Sequence, residues 1–158
     1  MKKLKVCTGD FAIVDDDIFE LVSGWHWHFD GHAVYNKFRG IVTYLHKLIF
    51  GDVPKGKLID HIDRNPLNNL RSNLREATSS QNNINKAPYA VFKGTSKYKG
   101  VSKTSHGTFR ARIKLNRKQI NIGHYKTEIE AAIAYNIKAK ELFGEFAYLN
   151  QIEGESHA

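Results

Sequence analysis

Apolar and polar residues alternate with the two-residue period of a β-strand in several short stretches of this chain. Residues 1–46 read as β. Phe11-Ala12-Ile13-Val14 runs into the acidic turn Asp15-Asp16-Asp17. Trp25-His26-Trp27-His28-Phe29 then alternates, which sets Trp25, Trp27 and Phe29 on one face and His26 and His28 on the other. Asp30-Gly31 is a turn signal, and residues 34–38 and 41–44 resemble a hairpin around Arg39-Gly40. Further along, residues 58–62 form a short apolar strand, and the Asn-rich residues 63–72, with Pro66, predict a loop. Asn73-Leu74-Arg75-Glu76 reads as a returning strand, and Thr78 or Ser79 can cap a short helix through Asn82 and Asn85.

Residues 86–97, with Pro88, Gly94, Thr95 and Ser96, look like a linker, followed by a compact unit over residues 98–150 and a tail, 151–158. Phe109-Arg110-Ala111-Arg112-Ile113-Lys114 alternates strictly, so Phe109, Ala111 and Ile113 face inward and Arg110, Arg112 and Lys114 face out. Residues 118–123 repeat the pattern with Gln119 and Asn121 outside. Thr127-Glu128-Ile129-Glu130 is a capping box that opens a helix to about Phe143, closed by Gly144. Ala131, Ala134, Tyr135, the stem of Lys138 and Leu142 form its expected inward stripe.

Charge divides the chain more sharply than pattern does. Residues 1–85 hold 11 Lys/Arg against 10 Asp/Glu, and residues 86–158 hold 13 against 6. Residues 93–126 include ten Lys/Arg and no acidic residue, a field of one sign suited to a phosphate backbone. Cys7 stands alone, so no disulfide framework or cysteine zinc site is expected; it reads as a small buried hydrophobe in a reducing, cytoplasmic setting. No apolar run is long enough to cross a membrane, and the Met1-Lys2-Lys3 start lacks the apolar core of a signal peptide.

Within this frame Asp60-His61 stands out. Asn73 and Asn82 follow the histidine by 12 and 21 residues. A carboxylate beside a neutral imidazole offers an oxygen ligand for a hard cation and a base for a water, the needs of phosphodiester hydrolysis. Spacing alone is also compatible with a structural Asp-His pair and with asparagines that satisfy backbone turns. A second histidine group, His26, His28 and His32, lacks a visible second shell and is expected at the surface or on phosphate.

The stretch from Tyr44-Leu45-His46-Lys47-Leu48 through Asp60-His61-Ile62-Asp63-Arg64-Asn65-Pro66-Leu67-Asn68-Asn69, Ser72-Asn73-Leu74-Arg75 and Thr78 to Gln81-Asn82-Asn83-Ile84-Asn85 resembles the HNH homing endonucleases. The resemblance implies a ββα-metal nuclease site, with His61 as general base and Asp60 and Asn82 as metal ligands. Asn73 would brace the loop and orient the histidine. Asparagine replaces the final histidine of some relatives, which implies one divalent ion, Mg²⁺ or alternatively Mn²⁺. Asn83 and Asn85 could substitute for Asn82. His46 matches a recurring histidine and is expected in packing or on phosphate. The cysteine pairs of zinc-braced relatives are missing.

The stretch holding Tyr98-Lys99-Gly100-Val101, Gly107-Thr108-Phe109, Ile122-Gly123-His124-Tyr125, Thr127-Glu128-Ile129-Glu130-Ala131-Ala132 and Ala134-Tyr135, ending near Leu149-Asn150, resembles an AP2 DNA-binding domain. That likeness places DNA-facing sites on Ser102, Thr104, His106, Arg112, Lys114, Gln119 and Asn121. Arg110 joins them by strand alternation, since Arg can read guanine and Asn or Gln adenine from a sheet in the major groove. Because Ser102, Thr104, His106 and Asn121 replace family arginines and tryptophans, the plant-type target preference does not transfer.

The fold expected is α+β: a β-rich N-terminal ββα-metal HNH module (1–85), then a three-stranded antiparallel sheet packed on one helix. The function expected is metal-dependent nicking or cleavage of double-stranded DNA, as in mobile endonucleases of introns or phage, leaving 5′-phosphate and 3′-hydroxyl ends by family likeness. The protein would act in a bacterial or phage-infected cell as a monomer or a dimer assembled on DNA. The competing class is a DNA-binding regulator with a decayed nuclease module. An RNA-binding protein is disfavoured, because a sheet reader has little purchase in the deep groove of A-form RNA.

Overall fold

A computed structural model of the chain describes residues 1–87 and 96–152. The expected linker therefore falls mostly outside the described residues, as do residues 153–158 of the expected tail. The fold is α+β and divides into two compact units, residues 1–82 and 83–158.

In the first unit, Lys2–Lys5 (β1) pairs antiparallel with Phe11–Val14 (β2). The acidic run expected as a turn instead opens a helix, Asp16–Val22 (α1), with Asp15 at the N-cap and Asp16 and Asp17 in the first turn. Carboxylates near the exposed N–H groups suit the helix dipole, and Ile18 and Val22, four apart, point one apolar stripe into the core. A three-stranded antiparallel sheet follows: Trp27–Phe29 (β3), Val34–Phe38 (β4) and Ile41–Tyr44 (β5). Arg39 and Gly40 have φ of 48° and 83°, the left-handed pair that a two-residue hairpin needs.

Two expectations fail here. Trp25 precedes the strand and is 45% exposed, lying flat against buried Trp27 with ring centroids 5.7 Å apart. Cys7 is exposed, not buried, because it sits in the turn after β1, where its N–H donates to Trp27 O at 2.8 Å. The core is made instead by Leu4, Val6, Ala12, Val14, Ile18, Val22, Trp27, Val34 and Leu45. Leu45 opens a second short helix, Leu45–Phe50 (α2), and Trp27 Nε1 donates to Val22 O at 3.0 Å. The unit ends in Lys57–His61 (β6), a loop with a 3-10 turn at Arg71–Asn73, Leu74–Thr78 (β7) and Ser79–Asn85 (α3), in which the 82/83 division falls.

The second unit is a sheet of Val101–Lys103 (β8), Phe109–Leu115 (β9) and Lys118–Tyr125 (β10), with β9 central, against Glu128–Phe143 (α4). The capping box forms as expected: Thr127 accepts from Glu130 N, and the Glu130 carboxylate accepts from Thr127 N, both at 3.1 Å. The buried stripe of α4 is Ala131, Ala132, Tyr135 and Ala139, while Ala134 and Lys138 are only half-buried. Gly100 shows why alanines and glycine matter here. Its φ is +78°, and a Cβ there would lie 2.2 Å from the Tyr135 ring and 2.5 Å from Arg112 O. Buried Asn150 then clasps both ends, bonding Lys99 N and O through its amide and Asn136 through its backbone.

Candidate functional site

Strand β6 delivers Asp60 and His61 side by side, and the antiparallel register sets Asp60 opposite Arg75 and His61 opposite Leu74. Successive strand residues point to opposite faces. Asp60 is 5% exposed; its Oδ2 accepts from Arg75 Nε at 2.9 Å and lies in ion-pair contact, also 2.9 Å, with Arg75 Nη2. This partner was not assigned from the sequence; only the hairpin register reveals it.

The β6–β7 loop is built by asparagine amides acting as backbone substitutes. Asp63 Oδ1 accepts from Asn65 N at 2.8 Å, and Asn65 Oδ1 accepts from Leu67 N at 3.1 Å. Asn68 Nδ2 donates to Asp63 Oδ2 at 2.7 Å. Asn73 gathers these: its Nδ2 donates to Asp63 Oδ1 and Asn68 O, both at 2.8 Å, and its Oδ1 accepts from Asp63 N at 3.1 Å. The loop is also tied to the N-terminal strands, since Ile13 N donates to Leu67 O at 2.7 Å and Asn69 N to Ile13 O at 2.8 Å. Arg71 adds a fork to Asp17 at 2.8 and 2.6 Å, which holds that carboxylate down to about 2.

The oxygen beside the His61 ring comes from Asn69, a residue the sequence reading left unassigned. Asn69 is fully buried, with Oδ1 3.3 Å from His61 Nε2 and Nδ2 donating to Pro66 O at 2.9 Å. The Pro66 carbonyl can only accept, so it fixes which end of the amide faces the imidazole. Nε2 must then donate, and the ring lone pair lies on Nδ1. Burial pushes the His61 imidazole below the ordinary 6.5, against the opposite influence of Asn69, Asp63 and Asp60. His46, on α2, meets His61 edge-on at 5.7 Å and is pushed down to about 4, by burial first and then by the charges of His61 and Lys47. Both rings are therefore neutral at neutral pH.

Helix α3 begins at a reciprocal cap, in which Thr78 N donates to Gln81 Oε1 at 2.8 Å and Gln81 N to Thr78 Oγ1 at 3.2 Å. Asn82 is half-buried one residue later, whereas Asn83 is exposed and Asn85 is 3% exposed. Among the described residues no group of three His, Cys, Asp or Glu could hold a metal ion. His28 stacks on Tyr35 at 5.4 Å instead of joining such a group. Asp60 and Asn82, the residues assigned by family likeness, would offer a cation oxygen donors with one formal charge. Such a pair fits a hard ion that keeps most of its waters and takes further oxygens from phosphate.

In the second unit, cross-strand register gathers most of the expected DNA-facing residues. Ser102 pairs with Arg110, Arg112 with Asn121 and Lys114 with Gln119. Arg112 Nη1 donates to Gln119 Oε1 at 3.2 Å. Ser102 Oγ and Arg110 Nε are buried with no hydrogen-bond partner among the described residues. Thr104 is engaged with Thr108, hydroxyl to hydroxyl at 2.8 Å, and exposed His106 lies in the β8–β9 turn. A β-bulge between Asn121 and Gly123 then reverses the alternation of β10. His124 consequently lands opposite Arg110 and joins this face, while Tyr125 packs inward. His124 was missed because strict alternation continues through a bulge only on paper.

Comparison with known proteins places relatives along the chain. The family model described as HNH endonuclease matches residues 44–84. An uncharacterised HNH endonuclease of Acanthamoeba polyphaga mimivirus is 37% identical over 150 residues, 92% of this chain and 77% of that protein. Protein 3.8 of Escherichia phage T7 is 37% identical over 99 residues, 61% of this chain and 78% of its own length. An AP2-like ethylene-responsive transcription factor of Arabidopsis thaliana is 36% identical over 93 residues, 54% of this chain and 27% of its own. No solved structure gives a significant match.

Proposed function

Because this chain belongs to the HNH endonuclease family, we propose that it hydrolyses double-stranded DNA with a divalent cation, Mg²⁺ or Mn²⁺. The AP2-like unit, residues 98–150, chooses the site, and the nuclease unit, residues 1–85, nicks or cuts there in the manner of a homing enzyme. The observation that carries the reading is the Asp60-His61 pair, with Asp60 buried, His61 half-buried and the histidine tautomer set by Asn69. Relatives from a giant virus and a phage support action within an infected cell. No helix among the described residues is long and apolar enough to cross a membrane.

In this mechanism His61 Nδ1 accepts a proton from a water as that water attacks phosphorus. The bond to the 3′ oxygen breaks, and the departing oxygen takes a proton from solvent, leaving a 5′-phosphate and a 3′-hydroxyl. Asn69 holds the imidazole for the transfer through Nε2, and Asn73 keeps the loop in shape. Asp60 and Asn82 would hold the cation, which supplies positive charge for the pentacoordinate phosphate and the leaving oxygen. On the second unit, Ser102, Thr104, His106, Arg110, Arg112, Lys114, Gln119 and Asn121 present the outward face to the duplex.

Plasmid nicking with and without Mg²⁺ tests the reading. Wild-type protein should convert supercoiled to open-circular DNA only with the cation, and His61→Ala should lose about 10²–10⁴ of that rate. If wild type and His61→Ala behave alike while both bind DNA, the chain is a DNA-binding regulator and not a nuclease.

A further inference from the structure

The carboxylate assigned to the cation is not an unneutralised charge. Arg75 approaches Asp60 end-on, with Nε and Nη2 both 2.9 Å from the single oxygen Oδ2. The two side chains are 10% and 5% exposed, and they are directly opposed in the β6–β7 register. Water therefore screens the pair weakly, and the positive charge of Arg75 acts at short range on anything Asp60 binds. Asp63, the other carboxylate that His61 senses, is occupied by Asn65 N, Asn68 and Asn73. Asn82 brings no charge. The two assigned ligands and Arg75 thus sum to zero formal charge, too little to draw a divalent ion out of water when oxygen sites owe their affinity to ligand charge.

Building on the proposed nuclease site, we infer that Arg75 is a positioning residue that couples cation binding to the arrival of phosphate. It fixes Asp60 through Oδ2 and offsets its charge, so the free protein binds the ion weakly. The entering phosphodiester brings the missing negative charge, and the cation is retained only in the complex with DNA. Free protein then holds little loaded metal, which limits hydrolysis before the duplex is docked.

The test is Mn²⁺ binding to the full chain without DNA, followed by the electron paramagnetic resonance of free Mn²⁺. Wild type and Arg75→Lys, which keeps the charge, should bind weakly and alike. Arg75→Gln should bind about tenfold tighter or more, since it removes one unit of positive charge at contact range. Arg75→Gln binding no tighter than Arg75→Lys would overturn the inference. Adding Asp60→Asn separates the two claims: if it leaves Mn²⁺ affinity unchanged in every background, Asp60 is no ligand and the assigned metal site itself fails. Should Arg75→Gln not fold, the His61→Ala protein, titrated with and without a short duplex, gives the same answer. Mn²⁺ affinity corrected for DNA alone should rise about tenfold with the duplex; an equal affinity sinks the coupling.

Discussion

Asn69 offers Nδ2 to the Pro66 carbonyl and Oδ1 to His61, so reversing its amide would break both contacts. Replacing it with leucine keeps much of the volume but removes the acceptor that fixes the imidazole. Turnover should fall about 10- to 100-fold, on the scale of an outer partner that orients a catalytic histidine, with DNA binding unchanged in a mobility-shift assay. The pH profile adds a sign. Because burial lowers the folded-state pKa of His61 from 6.5, the neutral base persists below that value. Activity should therefore hold through pH 6.5 and fall only as the pH drops through the lowered value. Asn69→Asp, which places a carboxylate at Nε2, should move this acid limb upward; an unchanged limb would argue against Asn69 as the partner. At this scale the sequence exposes Asp60 and His61, because an ionisable pair in an apolar strand is conspicuous. It hides Asn69 among several asparagines, since which amide reaches the ring depends on turns made by all the others. It hides the role of Arg75 too, because a cross-strand partner exists only once the hairpin register is set.

At the level of elements, alternation and capping signals were legible wherever local chemistry alone decides the outcome. Strand β9 and the Thr127–Glu130 cap of α4 follow directly from residue order. Helix α1 does not, because an acidic run suits a turn and a helix N-terminus equally, and burial of Ile18 and Val22 makes the choice. The bulge in β10 is likewise set by the packing of Tyr125 and Ile122 against the core, not by their own pattern. Gly100 illustrates an element fixed by close approach. Gly100→Ala forces a side chain into the Tyr135 ring at positive φ, and should destabilise the second unit by about 3 kcal/mol. Thermal unfolding should show that loss in the transition of the second unit; a shift under about 0.5 kcal/mol, the scale of an ordinary surface change, would mean that α4 can move aside.

Across the whole molecule, charge is distributed by task. The first unit balances carboxylates and cations, whereas residues 93–126, free of acid, carry a field of one sign suited to a phosphate backbone. Binding should weaken steeply with salt, because each phosphate contact releases counterions. Arg112, braced by Gln119, is the residue to test for sequence reading. Arg112→Ala should cost about 1–3 kcal/mol on a target site and relax preference at one base position. Equal losses on target and random duplex would show a phosphate contact only. That the chain divides into two units was legible from the break in charge; the nuclease loop's dependence on strands far upstream was not.

That dependence bears on how the motif could be moved into another protein. The recognisable motif, residues 44–84, looks like a cassette that recombination could lift out and reuse. Its loop, however, borrows backbone partners from Ile13 and ionic ones from Asp15 and Asp17. A crossover just upstream of Tyr44 would transplant Asp60 and His61 without the anchors that shape the loop beside them. The motif therefore keeps its loop geometry only together with the N-terminal strands and helix α1.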